Sequence, residues 1–389
     1  MSQPRRISIV TGGVPHYRWP FYEAIVDRGV ELSVIAAGRL PPGTLAAPSL
    51  DPRVSLTHLS RASTGWRGDV LARVRADAPD AILLEHGSSL DFSWTTLLAR
   101  SIGAPRILWT HGIARQELHG KKRGLPSRGR WLQLRLADGI ACYDSFMASV
   151  MRTRFPHKVV GVAPNSTDGR PIAAARAKLE AEGVRRLRAR LGLPRQNYLL
   201  GLGRFVAEKD FRRLLRIGAA LRSSGVDVGV VLIGGGPEDQ LLRTEGRAFG
   251  FELGRDLIFT GPITAPEQLA QWLFAADLCV SPGPLGLSAA DCLFAGLPVA
   301  SYEPAVAGPH HGPEWRYLVP GETGFFAAGH TDGALASVCA NYLARPAQAR
   351  EVTRRACVEY ASGQLGVGRM ADGMMDVVGR TMYTYQRAG

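Results

Sequence analysis

One stretch of the sequence, from Ser281 to Ser301 (SPGPLGLSAADCLFAGLPVAS), limits the fold more than any other part of the chain. The apolar residues just before it, 278–280, predict the end of a buried strand, which the following proline and glycine stop. Residues 288–295 predict a short apolar helix that ends at Gly296, and residues 298–300 predict the start of another buried strand. A strand–loop–helix–strand unit of this kind is typical of an α/β protein.

The loop of this unit is rich in glycine and leads directly into the helix. Ser288 and Asp291 have the spacing of a capping box, in which two side chains satisfy the first free amides of a helix. Because backbone amides at a helix N-terminus favour negative charge, the loop is a candidate phosphate-binding site.

The stretch resembles the donor-binding signature of retaining glycosyltransferases of group 1 (family 4), which have the GT-B fold. Their usual pattern is an acid, seven residues, a second acid, and then Ala-x-Ala-x-Gly-x-Pro-Val. Asp291 stands at the second acid and residues 296–299 at the tail, whereas Gly283 stands at the first acid. The run Ser-Pro-Gly-x-x-Gly-Leu-Ser resembles a bacterial surface-polysaccharide branch of that family, which lacks the first acid. The resemblance implies an α/β protein with two Rossmann-like, doubly wound domains that face a cleft.

A second motif follows the first predicted strand of the C-terminal half, and consists of Gly-Arg, four residues and Lys. Arg204 and Lys209 match the basic pair that the family uses for the donor diphosphate. A guanidinium can bind two phosphate oxygens at once and an ammonium acts as a mobile point charge, so both groups suit a diphosphate. The resemblance also implies that amides around Gly286 and Leu287 assist, and that Asp291 accepts hydrogen bonds from the ribose hydroxyls.

The segment after the central stretch reads His310-His311-Gly312-Pro313-Glu314, and it resembles the loop that follows the donor site of the family. Glu314 is therefore a predicted substrate-binding residue. The adjacent histidines do not predict a metal site, because neighbouring side chains point apart and the sequence places no third ligand. We predict neither a metal nor a cofactor.

The N-terminal half begins with a short strand, 7–10, and a glycine turn, as Rossmann-type units do. Gly12 and Gly13 lie in this turn, and Tyr17 and Arg18 follow it. The resemblance implies that these four residues bind substrate at the cleft. For each residue taken singly, a structural loop with one exposed arginine is an equally good interpretation.

Two further strands of this half each end in a polar turn that contains a histidine and a glycine. His86 follows the predicted strand 81–84, and His111 follows the predicted strand 106–109. Open α/β sheets bind their ligands at the carboxyl ends of the strands, and the resemblance implies a histidine there that touches the donor sugar. We predict that His111, rather than His86, has this catalytic role.

The length of 389 residues predicts two domains rather than one. The asparagine-containing segment at 164–168 resembles the inter-domain junction of the family. We predict an acceptor-side domain over 1–165, a nucleotide-sugar-binding domain over 166–363, and a C-terminal helix within 364–389 that returns to the first domain.

The chain carries 47 Lys and Arg against 34 Asp and Glu, which gives a net charge of +13. Such an excess fits an acidic ligand, an anionic membrane or nucleic acid, and it also fits a genomic preference for arginine. The sequence has no zinc module, RNA-binding aromatic pattern or helix-turn-helix signature, so we predict no nucleic acid partner.

Basic and apolar residues are interleaved between Arg115 and Arg135, where seven Lys and Arg stand against a single Glu. The segment is either a solvated loop with an amphipathic helix, or a surface for anionic headgroups or a pyrophosphate-linked acceptor. No apolar run is long enough to span a membrane, no signal segment precedes the first strand, and the five cysteines form no CxxC pair. We therefore predict a cytoplasmic protein whose membrane contact, if any, is peripheral.

Together these features predict a metal-independent hexosyltransferase. It would transfer a sugar, with retention, from a nucleotide-diphosphate sugar to a glycan or lipid-linked acceptor in polysaccharide or glycolipid biosynthesis. A sugar-nucleotide epimerase on the same frame is an alternative, and it would act on the sugar itself. A binding protein that has lost catalysis is another, which the missing first acid favours and Arg204 and Lys209 oppose.

Overall fold

A computed structural model of the chain describes residues 4–38, 51–60, 65–86, 99–113, 125–304 and 311–388. The chain folds into two compact units. The first contains residues 1–168 and 366–389, and the second contains residues 169–365.

The first unit is built on a seven-stranded parallel sheet in the order β3-β2-β1-β4-β5-β6-β7. Its strands are β1 (Arg6–Thr11), β2 (Glu31–Ala37), β3 (Val54–Leu59), β4 (Ala81–Glu85), β5 (Arg106–Thr110), β6 (Gly139–Cys142) and β7 (Val159–Val162). The described helices are α1 (Trp19–Val26), α2 (Trp66–Asp77), α3 (Leu125–Leu136), α4 (Ser145–Arg154) and, at the end of the chain, α13 (Val367–Ala388), with 3-10 turns at His16–Arg18 and Ala99–Ile102.

The sheet of the first unit is apolar on both faces because helices cover both. Ile9 and Val10 are successive residues of β1, so their side chains point to opposite faces. Ile9 packs into a core with Phe21 of α1, whereas Val10 packs into a second core with Val70 of α2 and Met147 of α4.

Helix α13 approaches β6 and β7 at positions where only glycine fits. A Cβ atom on Gly373 would lie 2.0 Å from the carbonyl oxygen of Val162, and one on Gly139 would lie 2.3 Å from Oγ1 of Thr381. The absence of a side chain therefore allows this helix to seal the core of the first unit.

The second unit is built on a six-stranded parallel sheet in the order β10-β9-β8-β11-β12-β13. Its strands are β8 (Asn197–Leu202), β9 (Val228–Ile233), β10 (Leu257–Gly261), β11 (Leu278–Ser281), β12 (Val299–Tyr302) and β13 (Gly324–Ala327). Its helices among the described residues are α5 (Arg170–Glu182), α6 (Val184–Arg190), α7 (Phe211–Ser223), α8 (Asp239–Ala248), α9 (Pro266–Ala275), α10 (Ser288–Phe294), α11 (Asp332–Leu343) and α12 (Ala347–Gln364), with 3-10 turns at Ala207–Lys209 and Pro313–Tyr317.

In both sheets the strand order reverses beside the first strand of the unit. The reversal lies between β1 and β4 in the first sheet and between β8 and β11 in the second. Open α/β sheets bind ligands outside the carboxyl ends of the strands at this point. The loops that follow these four strands are therefore where a site is expected in each unit.

None of the helices in the described ranges is both long enough and apolar enough to span a bilayer. All five cysteines lie in the described part of the chain, where they are buried and form no disulfide.

Candidate functional site

The loop between β11 and α10, residues 282–287, is held from two sides. On one side, Nζ of Lys209 donates a hydrogen bond of 2.5 Å to the carbonyl oxygen of Pro284. On the other, the backbone N–H of Leu285 donates to Nδ1 of His311 at 3.0 Å, and the Leu285 carbonyl accepts from the backbone N–H of Gly312 at 3.0 Å. We call residues 282–287 the donor loop, after the role that the sequence predicts for it.

Gly283 of the donor loop lies against the backbone of the 3-10 turn 207–209. A Cβ atom at position 283 would lie 2.2 Å from the carbonyl oxygen of Glu208 and 2.7 Å from Cα of Lys209. Cβ atoms do not approach other heavy atoms this closely. The backbone of residues 208 and 209 also cannot move aside as the end of a flexible side chain can. The acid that stands at this position in the usual signature therefore has no room here.

Helix α10 begins where the sequence predicts it, but the predicted capping box is wrong. Ser288 is the first residue of the helix, and Leu287 is the N-cap residue, without a side-chain cap hydrogen bond. Leu287 already has helical dihedral angles (φ −55°, ψ −25°), so Ser288 lies one position too far into the helix to cap it. Asp291 lies in the first turn, and Gly296 (φ +75°) follows the end of the helix as predicted.

The loop after β8 carries Arg204 and is packed against the glycine turn after β9. A Cβ atom on Gly234 would lie 1.8 Å from the carbonyl oxygen of Gly203, and one on Gly236 would lie 2.5 Å from that of Phe205. The backbone N–H of Phe205 donates to the carbonyl oxygen of Gly235 at 2.9 Å. The interlocked backbones fix the loop, and the Arg204 side chain is 44% exposed.

The charge of Lys209 depends on several neighbours. Burial lowers the pKa of Lys209, the carboxylates of Glu208 and Glu314 oppose that shift, and the guanidinium of Arg204 adds to it. Glu314, in the 3-10 turn 313–317, is buried. The predicted donor-side residues Arg204, Lys209, Gly286, Leu287, Asp291 and Glu314 thus all lie in the second unit, in the loops after β8, β11 and β12 or in the turns and first helical residues that follow them.

In the first unit, the glycine turn after β1 is tied to the end of β4. Oε2 of Glu85 accepts hydrogen bonds from the Thr11 hydroxyl at 2.7 Å and from the backbone N–H of Gly12 at 2.9 Å. The Thr11 hydroxyl also lies 3.1 Å from the carbonyl oxygen of Gly13. Glu85 therefore organises the turn in which the sequence predicts substrate binding.

Arg18 lies across an aromatic side chain at the end of β5. Its guanidinium carbon is 4.1 Å from the ring centroid of Trp109 and 5.5 Å from that of Tyr17, and its Nη1 donates to Oδ1 of Asn165 at 3.0 Å. A cavity of about 50 Å³ opens beside this group. Its lining includes Tyr17, Arg18, Tyr22, Glu85, Trp109 and Tyr143.

The two histidines at the sheet edge have different environments. His86 is buried, its Nδ1 lies 2.5 Å from the Thr110 hydroxyl, and its Nε2 lies 3.2 Å from the carbonyl oxygen of Arg130. Burial, helped by the nearby His111, lowers the pKa of His86 to about 3. His86 is therefore neutral: Nε2–H donates to the carbonyl, and Nδ1 accepts from the hydroxyl.

His111 is exposed, and its ring centroid lies 6.1 Å from that of His86 and 6.4 Å from that of Tyr143. The next residue, Gly112 (φ +84°), donates its backbone N–H to the Thr110 hydroxyl at 2.7 Å. Of the two histidines, only His111 is placed to meet a ligand from solvent.

The described residues contain no group of three or more His, Cys, Asp or Glu side chains that could hold a metal ion. His310 lies outside the described residues. His311 uses Nδ1 for Leu285 and Nε2, at 3.0 Å, for the carbonyl oxygen of Tyr302. Both ring nitrogens of His311 are therefore engaged in hydrogen bonds to the backbone.

Two residues have roles in these loops that their sequence context did not predict. His311 fixes the backbone of the donor loop, and Glu85 fixes the glycine turn after β1. Their positions directly after predicted strands or beside a motif were visible in the sequence. Their partners were not, because these lie 26 and 73–74 residues away along the chain.

The sequence of the second unit resembles a known family of enzymes. A family model for glycosyl transferases group 1 matches residues 196–345. The matched residues all lie in the second unit.

Curated relatives resemble parts of this chain. It is 31% identical over 182 residues to the 2-deoxystreptamine glucosyltransferase of Streptomyces kanamyceticus, an alignment that covers 44% of each chain. It is 34% identical over 187 residues to the D-inositol 3-phosphate glycosyltransferase of Streptomyces avermitilis, which covers 45% of this chain and 39% of that protein. It is 35% identical over 116 residues to the GDP-mannose-dependent alpha-(1-6)-phosphatidylinositol dimannoside mannosyltransferase of Mycobacterium tuberculosis, which covers 29% of each chain. The matches span less than half of the length of these relatives.

Solved structures resemble nearly the whole chain. HepE of Anabaena, in complex with UDP, has a TM-score of 0.70 at 14% identity, and the alignment covers 97% of this chain and 100% of that one. The sucrose-phosphate synthase of Thermosynechococcus elongatus has a TM-score of 0.70 at 18% identity, with coverage of 99% and 100%. At such identities the likeness shows the fold, which is GT-B with two Rossmann-like units. This confirms the fold class predicted from the sequence.

Proposed function

We propose that this protein transfers a sugar from a nucleotide-diphosphate sugar to an acceptor hydroxyl. The observation that carries the proposal is the hydrogen bond from Lys209 to the carbonyl oxygen of Pro284. It joins the lysine that is predicted to bind the diphosphate to the donor loop. The match of this unit to the group 1 family and the complex of HepE with UDP support the same donor class.

The chemistry requires that the departing nucleoside diphosphate be stabilised. The ammonium of Lys209 and the guanidinium of Arg204 neutralise its charge, and backbone amides near Gly286 and Leu287 add donors. The bond between the anomeric carbon and the phosphate oxygen breaks, and the acceptor oxygen forms the new bond. We propose retention of configuration, with the acceptor proton passing to the leaving phosphate.

The proposed reaction does not depend on a divalent cation, since protein cations meet the charge of the diphosphate. Turnover should survive an excess of EDTA. Loss of turnover in EDTA, restored by magnesium or manganese, would contradict this part of the proposal.

The acceptor is proposed to bind in the first unit, where Gly13, Tyr17 and Arg18 line the cavity next to Glu85. Gly12 donates its backbone N–H to the same Glu85 carboxylate and belongs to the proposed site. A carboxylate, a guanidinium and aromatic rings suit a polyhydroxylated ring that carries an amine or a phosphate. The names of the curated relatives include 2-deoxystreptamine, inositol 3-phosphate and phosphatidylinositol dimannoside. Cyclitols and their glycosides are therefore the first acceptors to test, beside polyprenyl-linked glycans.

A lipid-linked acceptor would bring the protein to an anionic membrane surface. Helix α3 presents Arg128, Leu132 and Arg135, which are exposed and lie at spacings that share one helix face. Other basic residues of the predicted membrane segment, including Lys121 to Arg123, lie outside the described residues. We propose peripheral membrane contact of the first unit in polysaccharide or glycolipid biosynthesis.

The experiment that tests the proposal has two stages. Thermal unfolding is followed with UDP-, GDP- and other nucleotide hexoses, because a ligand that binds the native state raises the melting temperature. The donor found in this way is then incubated with and without acceptors, and released nucleotide is measured. Release that depends on an acceptor supports transfer, whereas conversion of the sugar without release would show an epimerase. Failure of every donor to bind would contradict the proposal.

A further inference from the structure

Gly283 stands where the donor signature usually has its first acid, and the same unit contains a buried carboxylate, that of Glu314. Position 283 has no room for a side chain, because the backbone of Glu208 and Lys209 occupies the space. Glu314, however, is only 5% exposed. A carboxylate is rarely buried to this extent without a charged or hydrogen-bonded counterpart.

The turn that contains Glu314 is joined to the donor loop by short contacts. A Cβ atom on Gly312 would lie 2.3 Å from Oε2 of Glu314, so the carboxylate rests against the Gly312 backbone. Gly312 in turn donates its N–H to the carbonyl oxygen of Leu285, and His311 accepts from the Leu285 N–H. These contacts therefore fix the position of the Glu314 carboxylate relative to the donor loop.

Lys209 binds the donor loop one residue before Leu285. Its Nζ donates to the carbonyl oxygen of Pro284, the residue before Leu285. The donor loop is thus bound at Pro284 by Lys209 and at Leu285 by His311 and Gly312, which stand just before Glu314 in the sequence. Burial lowers the pKa of Lys209, and attraction to the buried Glu314 carboxylate opposes that shift. Salt screens such an interaction much less than it screens a pair at the surface.

We propose that Glu314 is a positioning residue for Lys209. Its carboxylate keeps the ammonium charged and directed at the donor loop, in the absence of an acid at position 283. This inference rests on the proposed function, since it is the donor diphosphate that the charged Lys209 would bind.

Several groups act on the charge of Lys209, and their effects can be separated. Burial and Arg204 favour the neutral amine, whereas Glu208, Glu314 and, when ionised, Cys279 favour the ammonium. The Glu208 side chain is 66% exposed and Glu314 is buried. Added salt should therefore weaken the effect of Glu208 and leave that of Glu314.

The test measures the charge of Lys209 directly, in the full chain without ligand. An amine-reactive acetylating reagent modifies only the neutral amine, so the rate of Lys209 labelling, followed by mass spectrometry against pH, reports its protonation. In Glu314→Gln, labelling at a fixed pH below the midpoint should be faster by at least about threefold, in low and in high salt. In Glu208→Gln, the acceleration should appear in low salt and largely disappear in high salt.

A second variant distinguishes charge from packing. Glu314→Asp keeps the charge in a shorter side chain, and Glu314→Gln keeps the shape without the charge. If the charge of Glu314 matters, the rate of Lys209 labelling in Glu314→Asp should resemble that of the wild type. If Glu314 acts only through packing, Glu314→Gln should change the rate less than Glu314→Asp does. Thermal unfolding of each variant reports whether the turn still folds.

Nucleoside diphosphate binding completes the test, with UDP and GDP as probes in calorimetry. Affinity in Glu314→Gln should fall at a lower pH than in the wild type, as the ammonium is lost earlier. Unchanged labelling of Lys209 in Glu314→Gln would overturn the inference even if UDP or GDP binds the wild type. If neither nucleotide binds the wild type, the proposed function fails, and the labelling result still decides the relation between Glu314 and Lys209.

Discussion

The backbone of Glu208 lies so close to Gly283 that a Cβ atom on the glycine would be 2.2 Å from the Glu208 carbonyl oxygen. This contact joins the loops after β8 and β11, which lie side by side in the second sheet. Packing therefore requires a glycine at position 283, where the donor signature usually has its first acid. Any larger residue would push the donor loop away from Lys209.

We therefore expect Gly283→Ala to destabilise the second unit. Forcing a methyl group against backbone costs about 1–3 kcal/mol in packed sites, and the donor loop would move as a result. The free energy of unfolding in urea and the affinity for nucleoside diphosphate should both fall. Gly333→Ala in helix α11 is the matched control, because a Cβ atom there has nothing within 4 Å. Equal behaviour of the two variants would show that the contact is not a real restraint.

The basic pair is tested by truncation. Lys209→Ala and Arg204→Ala should each weaken binding of the free nucleoside diphosphate by roughly 1.5–3 kcal/mol, the value of a hydrogen bond to a charged group. Arg247→Ala is the matched control, because it also removes one positive charge, from an exposed position of α8 outside the predicted site. It should leave the affinity unchanged. Calorimetry that finds normal affinity in both test variants would remove Lys209 and Arg204 from the diphosphate site.

The buried His86 predicts how stability depends on pH. Its pKa is about 3 in the folded chain, against an ordinary value of 6.5. Below pH 6.5 this histidine binds a proton in the unfolded chain but not in the folded chain. The free energy of unfolding therefore falls by up to about 1.4 kcal/mol for each unit that the pH decreases, until pH 3 is approached. Above pH 6.5 the group has no such effect.

Urea unfolding at several pH values between 7 and 4.5 measures this dependence. The slope of the unfolding free energy against pH gives the number of protons taken up on unfolding, and this number should be smaller by about one in His86→Gln. His58→Gln, which removes an exposed histidine from β3, is the control and should change the slope much less. A slope that is the same in the wild type and in His86→Gln would show that His86 is not held neutral.

Much of this arrangement follows from sequence patterns. The strand–loop–helix–strand unit around 281–301 was predictable because each of its elements has local signals: an apolar run, a proline and a glycine, and Gly296 after the helix. The GT-B fold with two Rossmann-like domains followed from a resemblance that such signals carry. The carboxyl edge of each sheet then located the polar loops.

The contacts that shape the site were not predictable in the same way. The capping box failed because Leu287 is already helical, which local spacing does not reveal. The exclusion of a side chain at Gly283 depends on residue Glu208, which is far away in sequence. His86 and His111 share a sequence context, yet one is buried and the other exposed, and only the packing of neighbouring elements separates them.

The difference between the two histidines gives a functional prediction. His111→Gln changes an exposed side chain and should leave stability within about 0.5 kcal/mol of the wild type. If His111 contacts the donor sugar, kcat/KM should fall about tenfold or more, which corresponds to the loss of one useful hydrogen bond. Binding of the free nucleoside diphosphate should stay normal, because it lacks the sugar. Unaltered kcat/KM would remove His111 from the catalytic residues.

The last prediction concerns a membrane surface. Arg128 and Arg135 are exposed on helix α3, and Leu132 between them is 43% exposed. Each Lys or Arg near an anionic bilayer adds about 1 kcal/mol of attraction, so a few of them give reversible binding that salt releases. The protein should therefore sediment with vesicles that contain phosphatidylglycerol and remain in solution with phosphatidylcholine alone.

Charge reversal locates the surface that binds. Arg128→Glu with Arg135→Glu should reduce sedimentation, and reversal of Lys121, Lys122 and Arg123 should reduce it further, with nucleotide binding intact. Arg185→Glu with Arg186→Glu, two exposed residues of α6 in the second unit, makes the same change in net charge and should leave sedimentation unchanged. If this control pair lowers binding as much as the α3 pair, attraction depends on total charge alone. If phosphatidylcholine vesicles bind equally well, the basic face of α3 is a solvated surface, and a soluble acceptor becomes the better hypothesis.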